Sequence, residues 1–239
     1  FDPSSTLTGS NVITLPDTVT ELTNYANQKC NGQDAVTLQT AFALSCNTAF
    51  VEMSEQLGAD ELRKYAKAFG VGENYDLGVS TSAGTLGDLP DGAATAQSAI
   101  GQRDVTMTAL QAAVMAGTVA NKGTRMQPYL VNRITDAQMK DVRTTKPKKA
   151  DQAVNEETAA TLTDLMYASE RSSWGYDGNG FASKTGTAEH GEGLAPHVWY
   201  VAFDPERDIA VGVVVKNGGN LGESATGGKV SGPIGRAIL

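Results

Sequence analysis

Histidine is almost missing from these 239 residues: His190 and His197 are the whole supply, and Cys30 and Cys46 are the only cysteines. The two pairs lie far apart in the chain, so no spacing matches a transition-metal ligand set, and no metal is expected. No apolar stretch approaches the ~20 residues that a membrane helix needs. Nothing at Phe1 reads as a signal peptide, so an anchor or export segment is expected to lie outside this sequence. Positive charge is also scarce. Lys and Arg number 19 against 27 Asp and Glu, a formal net charge of −8. Basic residues gather only in "TTKPKK", Thr144 to Lys149, which reads as a solvated loop. Nucleic acid and anionic lipid surfaces are therefore poor partners. Disorder is excluded as well, because 40% hydrophobic against 19% charged residues can bury a substantial core. One large domain, or a domain with a small lobe, is expected.

The opening "FDPSSTLTGSNVITLPDT" is rich in turn residues and has no apolar helix or strand leading in, as if cut inside a domain. Leu38, Ala41, Phe42 and Leu44 then recur at helical spacing after Thr37, an N-cap candidate, and predict a short helix up to Ser45. Asn47 is suited to cap the next helix, which carries Phe50, Val51, Met53 and Leu57 and stops at Gly58. Ser45, Cys46 and Asn47 thus fall at a joint between two helices. Asp60 begins a further helix that Gly70 closes, and residues 71–104, rich in Gly, Ser, Asp and Thr, read as a long surface excursion. "TALQAAVMAGTVANKG" from Thr108 shows a T-x-x-Q capping box and an apolar stripe, with Gly123 at its end. Asn155 to Glu170 repeats the helical pattern, with acidic residues in the first turn, where the helix dipole favours them.

After Gly180 the period changes. "GFASKTGTAEH", "HVWYVAFDP" and "DIAVGVVVKNGG" are short runs rich in β-branched and aromatic residues, separated by turns, and predict an antiparallel meander. "DIAVGVVV" is apolar on both faces, as a central strand would be. Ser231 and Pro233 open a last helix. The expected class is α+β, with a mainly helical half over about residues 1–180 and a small antiparallel sheet with a C-terminal helix over about 181–239.

Two short motifs offer chemistry. Lys184, Thr185, Gly186 and Thr187 supply a cation, two hydroxyls and a glycine that admits a close ligand, groups suited to a carboxylate. Alone, K-T-G is equally an exposed edge strand with a solvated lysine. Ser45-Cys46-Asn47 is equally a helix end, a packed cysteine and a cap. The glycine-rich "VKNGGNLGESATGGKV" suggests a phosphate loop but fails in detail. Counted from Gly222 the lysine arrives one residue late, and Val230 stands where Ser or Thr should bind Mg²⁺. Nucleotide binding is set aside, and no cofactor is expected.

In order and context, S-x-N at a helix joint followed by K-T-G on a strand resembles the motif set of the penicillin-binding protein transpeptidases, S-x-x-K, S-x-N and K-T-G. The resemblance runs over nearly the whole chain. "AFALSCNTAFVEMSEQLGADELRKYAKAFGVG", "SAIGQRDVTMTALQAAVMAGTVANKGTRMQPYLV", "ASKTGTAE" and "HVWYVAFDPERDIAVGVVVKNGG" are similar to successive blocks of the class B, monofunctional members. It implies the transpeptidase fold of these proteins and of the β-lactamases, with residues 1–239 as a partial transpeptidase domain. One departure is serious: no S-x-x-K occurs between Phe1 and Leu239. The nucleophilic serine, its lysine and the early strands of the sheet are expected to be absent, and this polypeptide alone is expected to be inactive.

The resemblance implies a peptidoglycan D,D-transpeptidase that cross-links stem peptides through a serine acyl-enzyme and is acylated by β-lactams. Ser45 would relay a proton, Asn47 would bind the substrate amide, and Lys184 would supply positive potential. Thr185, Gly186 and Thr187 would hold the terminal carboxylate, with the Thr187 N–H as one oxyanion donor. The implied partners are stem peptides, β-lactam antibiotics and, for the parent protein, a membrane glycosyltransferase. The implied place is the extracytoplasmic face of a bacterial membrane, in cell division or cell shape. Because the family works where disulfides persist, Cys30 and Cys46 are expected to be bonded, the alternative being two buried free thiols. A non-catalytic penicillin sensor or a scaffold of the same fold is the competing function.

Overall fold

The computed structural model describes residues 1–191 and 193–239. The chain opens with four short strands, β1 (Thr6–Thr8), β2 (Val12–Thr14), β3 (Glu21–Thr23) and β4 (Ala35–Thr37), paired antiparallel as β1 with β4 and β2 with β3. Helix α1 (Leu38–Leu44) starts where expected, because the Thr37 hydroxyl accepts the Thr40 N–H. Helix α2 (Asn47–Ala68) follows across a two-residue joint, Ser45 and Cys46. It is kinked at Gly58 (φ 77°, ψ 165°), so the two helices read from the sequence are one broken rod. Asn47 does not cap it. Cys46 takes that place without a side-chain bond, and Asn47, the first helical residue, donates from Nδ2 to the Thr23 carbonyl at 3.1 Å.

The expected excursion over residues 71–104 contains a helix, α3 (Gly92–Ala99), capped by Asp91 through the Ala94 N–H. Its alanines, threonine and serine draw no apolar stripe. Their small size instead lets it lie against α2, where Ala96 joins Val51 and Leu15 in one buried cluster. Helix α4 (Ala109–Ala120) carries the reciprocal capping box of Thr108 and Gln111. Gln111 is 1% exposed, and its Nε2 also donates to the carbonyls of Gly70, Glu73 and Ala83, pinning the segment ahead of the helix.

Strand β5 (Thr124–Met126) pairs with β8 (Lys149–Gln152), and between them β6 (Arg133–Thr135) pairs with β7 (Asp141–Thr144). Lys146, Lys148 and Lys149 are exposed. The first 180 residues are thus less helical than expected, with eight short strands beside five helices. Asn155 caps α5 (Glu156–Ser172), and Glu156 and Glu157 occupy its first turn.

The main sheet joins β9 (Ala182–Ala188), β10 (His197–Asp204) and β11 (Ile209–Val215) in the order β11-β10-β9, all antiparallel. The central strand is β10, whose Val198, Tyr200, Ala202 and Phe203 are all buried. β11 lies at the edge of this sheet, as expected for a central-type strand whose early sheet partners are not among the described residues. Its apolar character on both faces comes from helix cover, with α4 against it and α6 (Ser231–Ile238) also in contact. A Cβ at Gly212 would stand 2.3 Å from the Ala109 carbonyl oxygen, so only glycine lets the start of α4 come so near. Ala116 and Val119 of α4, Met166 of α5, Ala182 and Phe203 form one core cluster, and Tyr200, Ala202, Val211 and Leu239 form another. The fold is mixed α+β, and no helix among the described residues is long and apolar enough to cross a membrane.

Candidate active site

Ser45 closes α1 in the left-handed conformation (φ 56°, ψ 50°). Its N–H bonds to the Phe42 carbonyl at 3.3 Å, and the Cys46 N–H to the Ala41 carbonyl at 2.9 Å. That is the Schellman pattern, in which the left-handed residue is usually glycine. Here a side chain occupies the position at a conformational cost of roughly 1–2 kcal/mol. Backbone strain of this kind collects at functional sites, where the side chain is needed. The Ser45 side chain is exposed. Cys46, the next residue, is disulfide-bonded to Cys30, with a Cα–Cα distance of 5.7 Å, and both are buried in the cluster of Leu7, Val36, Leu38 and Ala49. The crosslink therefore anchors the residue next to the strained turn.

Strand alternation sends Lys184 and Gly186 to one face of β9, and Thr185 and Thr187 to the other. Lys184 reaches α1: its Nζ donates to Ser45 Oγ and, at 2.9 Å, to the Thr185 carbonyl, and it lies 5.8 Å from the centre of the Phe42 ring. The stem is only half-buried, but the ammonium is enclosed between an aromatic ring and neutral acceptors, with no carboxylate in ion-pair range among the described residues. Lost hydration, uncompensated by a counter-charge, brings its pKa down to about 8.

Asn47, two residues after Ser45 at the start of α2, is half-buried. Its Nδ2 donates to the Thr23 carbonyl, which fixes the amide, and its side-chain oxygen is an acceptor by chemistry. Thr187 Oγ1 accepts the Gly227 N–H at 3.3 Å. Gly227 lies hard against β9: a Cβ there would stand 2.5 Å from the Trp199 carbonyl oxygen, 2.7 Å from that of Gly186 and 2.9 Å from Thr185 Cβ. β9 is an edge strand, so the backbone groups on its outer side are free of strand partners among the described residues. The site is an open cleft. Ser45 and Lys184 line neither the cavity of about 320 Å³ bounded by Tyr167, Arg171, Tyr176 and Phe181 nor the one beside Arg103, Glu189 and His190. His190 and His197 stack with ring centroids 4.1 Å apart. Among the described residues no group of three or more His, Cys, Asp or Glu is placed to hold a metal.

One feature was not anticipated from the sequence. Glu170, near the end of α5, is 1% exposed, and its carboxylate accepts bonds from Asn179, Ser183, Tyr200 and Arg236, directly behind the strand that bears Lys184. A signal was available. Leu162, Met166 and Glu170 follow at intervals of four on α5, which puts the carboxylate on the helix's inward stripe.

Residues 1–239 match the penicillin binding protein transpeptidase domain. Peptidoglycan D,D-transpeptidase PbpA of Mycolicibacterium smegmatis is 43% identical over 246 residues, covering 99% of this chain and 50% of the relative. The protein of the same name from Mycobacterium tuberculosis is 40% identical over 242 residues, covering 98% of this chain and 49% of the relative. The chain thus spans about half the length of these relatives. Among solved structures, penicillin-binding protein A from M. tuberculosis as a ceftriaxone acyl-enzyme complex superposes with a TM-score of 0.94 at 40% identity, covering 100% of this chain and 55% of that one. Its penicillin G acyl-enzyme complex gives 0.92, also at 40% identity with the same coverage. With a family match along its whole length and its S-x-N and K-T-G groups joined across one cleft, the chain belongs to the penicillin-binding protein transpeptidase family.

Proposed function

We propose that residues 1–239 supply the proton-relay and substrate-holding groups of a peptidoglycan D,D-transpeptidase domain. The observation that carries this reading is the hydrogen bond from Lys184 to Ser45, which joins the two motifs. The names of the relatives and the β-lactam acyl-enzymes of the solved neighbours support it. A serine outside the two motifs attacks the penultimate D-Ala carbonyl of a stem peptide. The C–N bond to the terminal D-Ala breaks, and the departing nitrogen must take up a proton. Ser45 passes a proton on to it and is resupplied by Lys184, while the proton released by the attacking hydroxyl goes to the lysine of that serine's own motif, so that one proton is given and one is taken up. With a pKa of about 8 in place of 10.5, Lys184 is still mostly protonated at neutral pH. It releases its proton more readily than an ordinary lysine by a factor on the order of a hundred.

Asn47 accepts the substrate's amide N–H. The hydroxyls of Thr185 and Thr187 hold the terminal carboxylate in the positive potential of Lys184, Gly186 keeps the strand surface low, and the Thr187 N–H is one oxyanion donor. Stem peptides and β-lactams are then alternative ligands of one cleft. Work on peptidoglycan places the domain outside the bacterial membrane, alongside a membrane glycosyltransferase that supplies glycan strands. The test is covalent labelling of the full-length protein with a fluorescent penicillin, followed by turnover of a D-Ala-D-Ala peptide. Labelling with turnover supports the proposal; labelling without turnover indicates a sensor, and no labelling indicates a scaffold.

A further inference from the structure

We infer that Ser183 and the buried Glu170 act as a positioning pair for Lys184, fixing β9 so that the ammonium is held at Ser45; this rests on the relay role proposed for Lys184. A carboxylate removed from water is strongly disfavoured unless every lone pair finds a donor. Glu170 meets that condition. It accepts from Asn179 Nδ2 at 3.0 Å, Tyr200 OH at 2.9 Å, Arg236 Nε at 2.6 Å and Ser183 Oγ. Burial alone pushes its pKa up, but the bonds from Arg236, Ser183 and Asn179 prevail and hold it below the usual carboxylate range. The donors come from the turn after α5, from β10, from α6 and from β9, so one charge ties four segments together.

Buried ion pairs are weak devices for stability, since well-packed apolar residues often serve as well, and their best-attested use is to specify one arrangement. The arrangement at stake here is that of an edge strand. β9 is laddered to β10 on one side only, and a slip of one residue would send Lys184 to the wrong face. Ser183 is the residue before Lys184, points to the opposite face, is fully buried, and donates through its side chain to Glu170. It is a tie from the core to the backbone that carries the lysine, and it holds in the direction the ladder leaves free.

The experiment compares Ser183→Ala with Tyr200→Phe in the full-length protein. Each removes one hydroxyl donor from the same carboxylate, but only the first lies on the strand of Lys184. Three quantities are read: melting temperature, penicillin acylation rate against pH, and the Lys184 titration followed by NMR at Cε and Nζ, which needs no catalysis. Ser183→Ala is expected to slow acylation about tenfold or more. It should also move the Lys184 titration upward, toward the ordinary lysine value, by about half a pH unit or more, as the ammonium regains water. Tyr200→Phe is expected to leave that titration in place, and Ser183→Cys to restore part of the rate. Equal effects of the two variants, or an unmoved titration in Ser183→Ala, would overturn the inference and leave the carboxylate a purely structural hub. If Ser183→Ala does not fold, Ser183→Cys is read by the same criteria. A wild-type protein that takes no penicilloyl group sinks the functional reading instead, while the titration still decides the positioning role.

Discussion

Lys184 and Ser45, 139 residues apart in sequence, are joined by a hydrogen bond in which the donor is an under-hydrated ammonium and the acceptor sits on a strained turn. Both partners are held in states that folding alone would not choose. The lysine loses hydration without gaining a counter-ion, and the serine adopts a backbone conformation better suited to glycine. Each therefore carries a measurable conflict between stability and function.

For Lys184 the conflict is visible in pH. Its folded pKa of about 8 lies below the ordinary 10.5, so between those values the unfolded chain binds more protons than the folded one. Stability therefore rises with pH through that window, and the penalty is fully present below about pH 8. Lys184→Met removes the group. The melting temperature of the wild-type protein should rise relative to that of the variant between about pH 8 and pH 10. Lys184→Ala in the full-length protein should slow penicillin acylation more than about tenfold. An unchanged rate would remove Lys184 from the mechanism, and parallel melting curves across the pH range would remove the desolvation argument.

For Ser45 the conflict is separable by two substitutions. Ser45→Gly loses the hydroxyl and relieves the left-handed backbone, while Ser45→Ala loses the hydroxyl and keeps the strain. Both should slow acylation to a similar extent. The glycine variant should be the more stable of the two by about 1 kcal/mol. Denaturant titration reads this as a higher midpoint at an unchanged slope. An alanine variant as stable as the glycine one would mean that the turn is not strained.

Much of this site could be read from the sequence because its parts are local. Thr37, Gly58 and the Thr108–Gln111 box are start and stop signals whose physics acts within four residues. S-x-N and K-T-G are contiguous. The features missed are those whose cause is distant. α3 is made of small residues that form a helix because α2 lies beside them. The β6–β7 hairpin carries Val142 at 68% exposure and Ile134 at 44%, so no inside-outside alternation marked it. Glu170 lies on the inward stripe of its helix, but the partner that makes a buried carboxylate tenable there, Arg236, is 66 residues away.

The Cys30–Cys46 bond closes a loop with a separation of 16 residues. In the chain-entropy model such a loop contributes roughly 3 kcal/mol. Replacing both cysteines by serine should lower the melting temperature by about 6–12 °C in a domain of this size. Because Cys46 adjoins Ser45, acylation in the full-length protein should fall as well, at temperatures where the variant is still folded. The unreduced, denatured protein should show no thiol to Ellman's reagent. Two titrated thiols there would refute the crosslink.

The last prediction concerns the polypeptide Phe1–Leu239 produced alone. Among its 239 residues no serine is followed three positions later by lysine, so the S-x-x-K pattern of the family does not occur in this sequence. Ser45 is exposed and bonded to Lys184, which raises the question of whether it could attack instead. Its position as the acceptor from a mostly protonated lysine argues against it, since a nucleophilic hydroxyl needs a base to take its proton. β11 has no strand on its outer side among the described residues, and an edge with apolar side chains invites pairing with another chain. Phe1–Leu239 alone should therefore self-associate in light scattering and should gain no mass on incubation with penicillin. Intact-mass spectrometry decides the chemical half: one penicilloyl group per chain would show that a nucleophile lies within these residues. Loss of that adduct in Ser45→Ala would identify it.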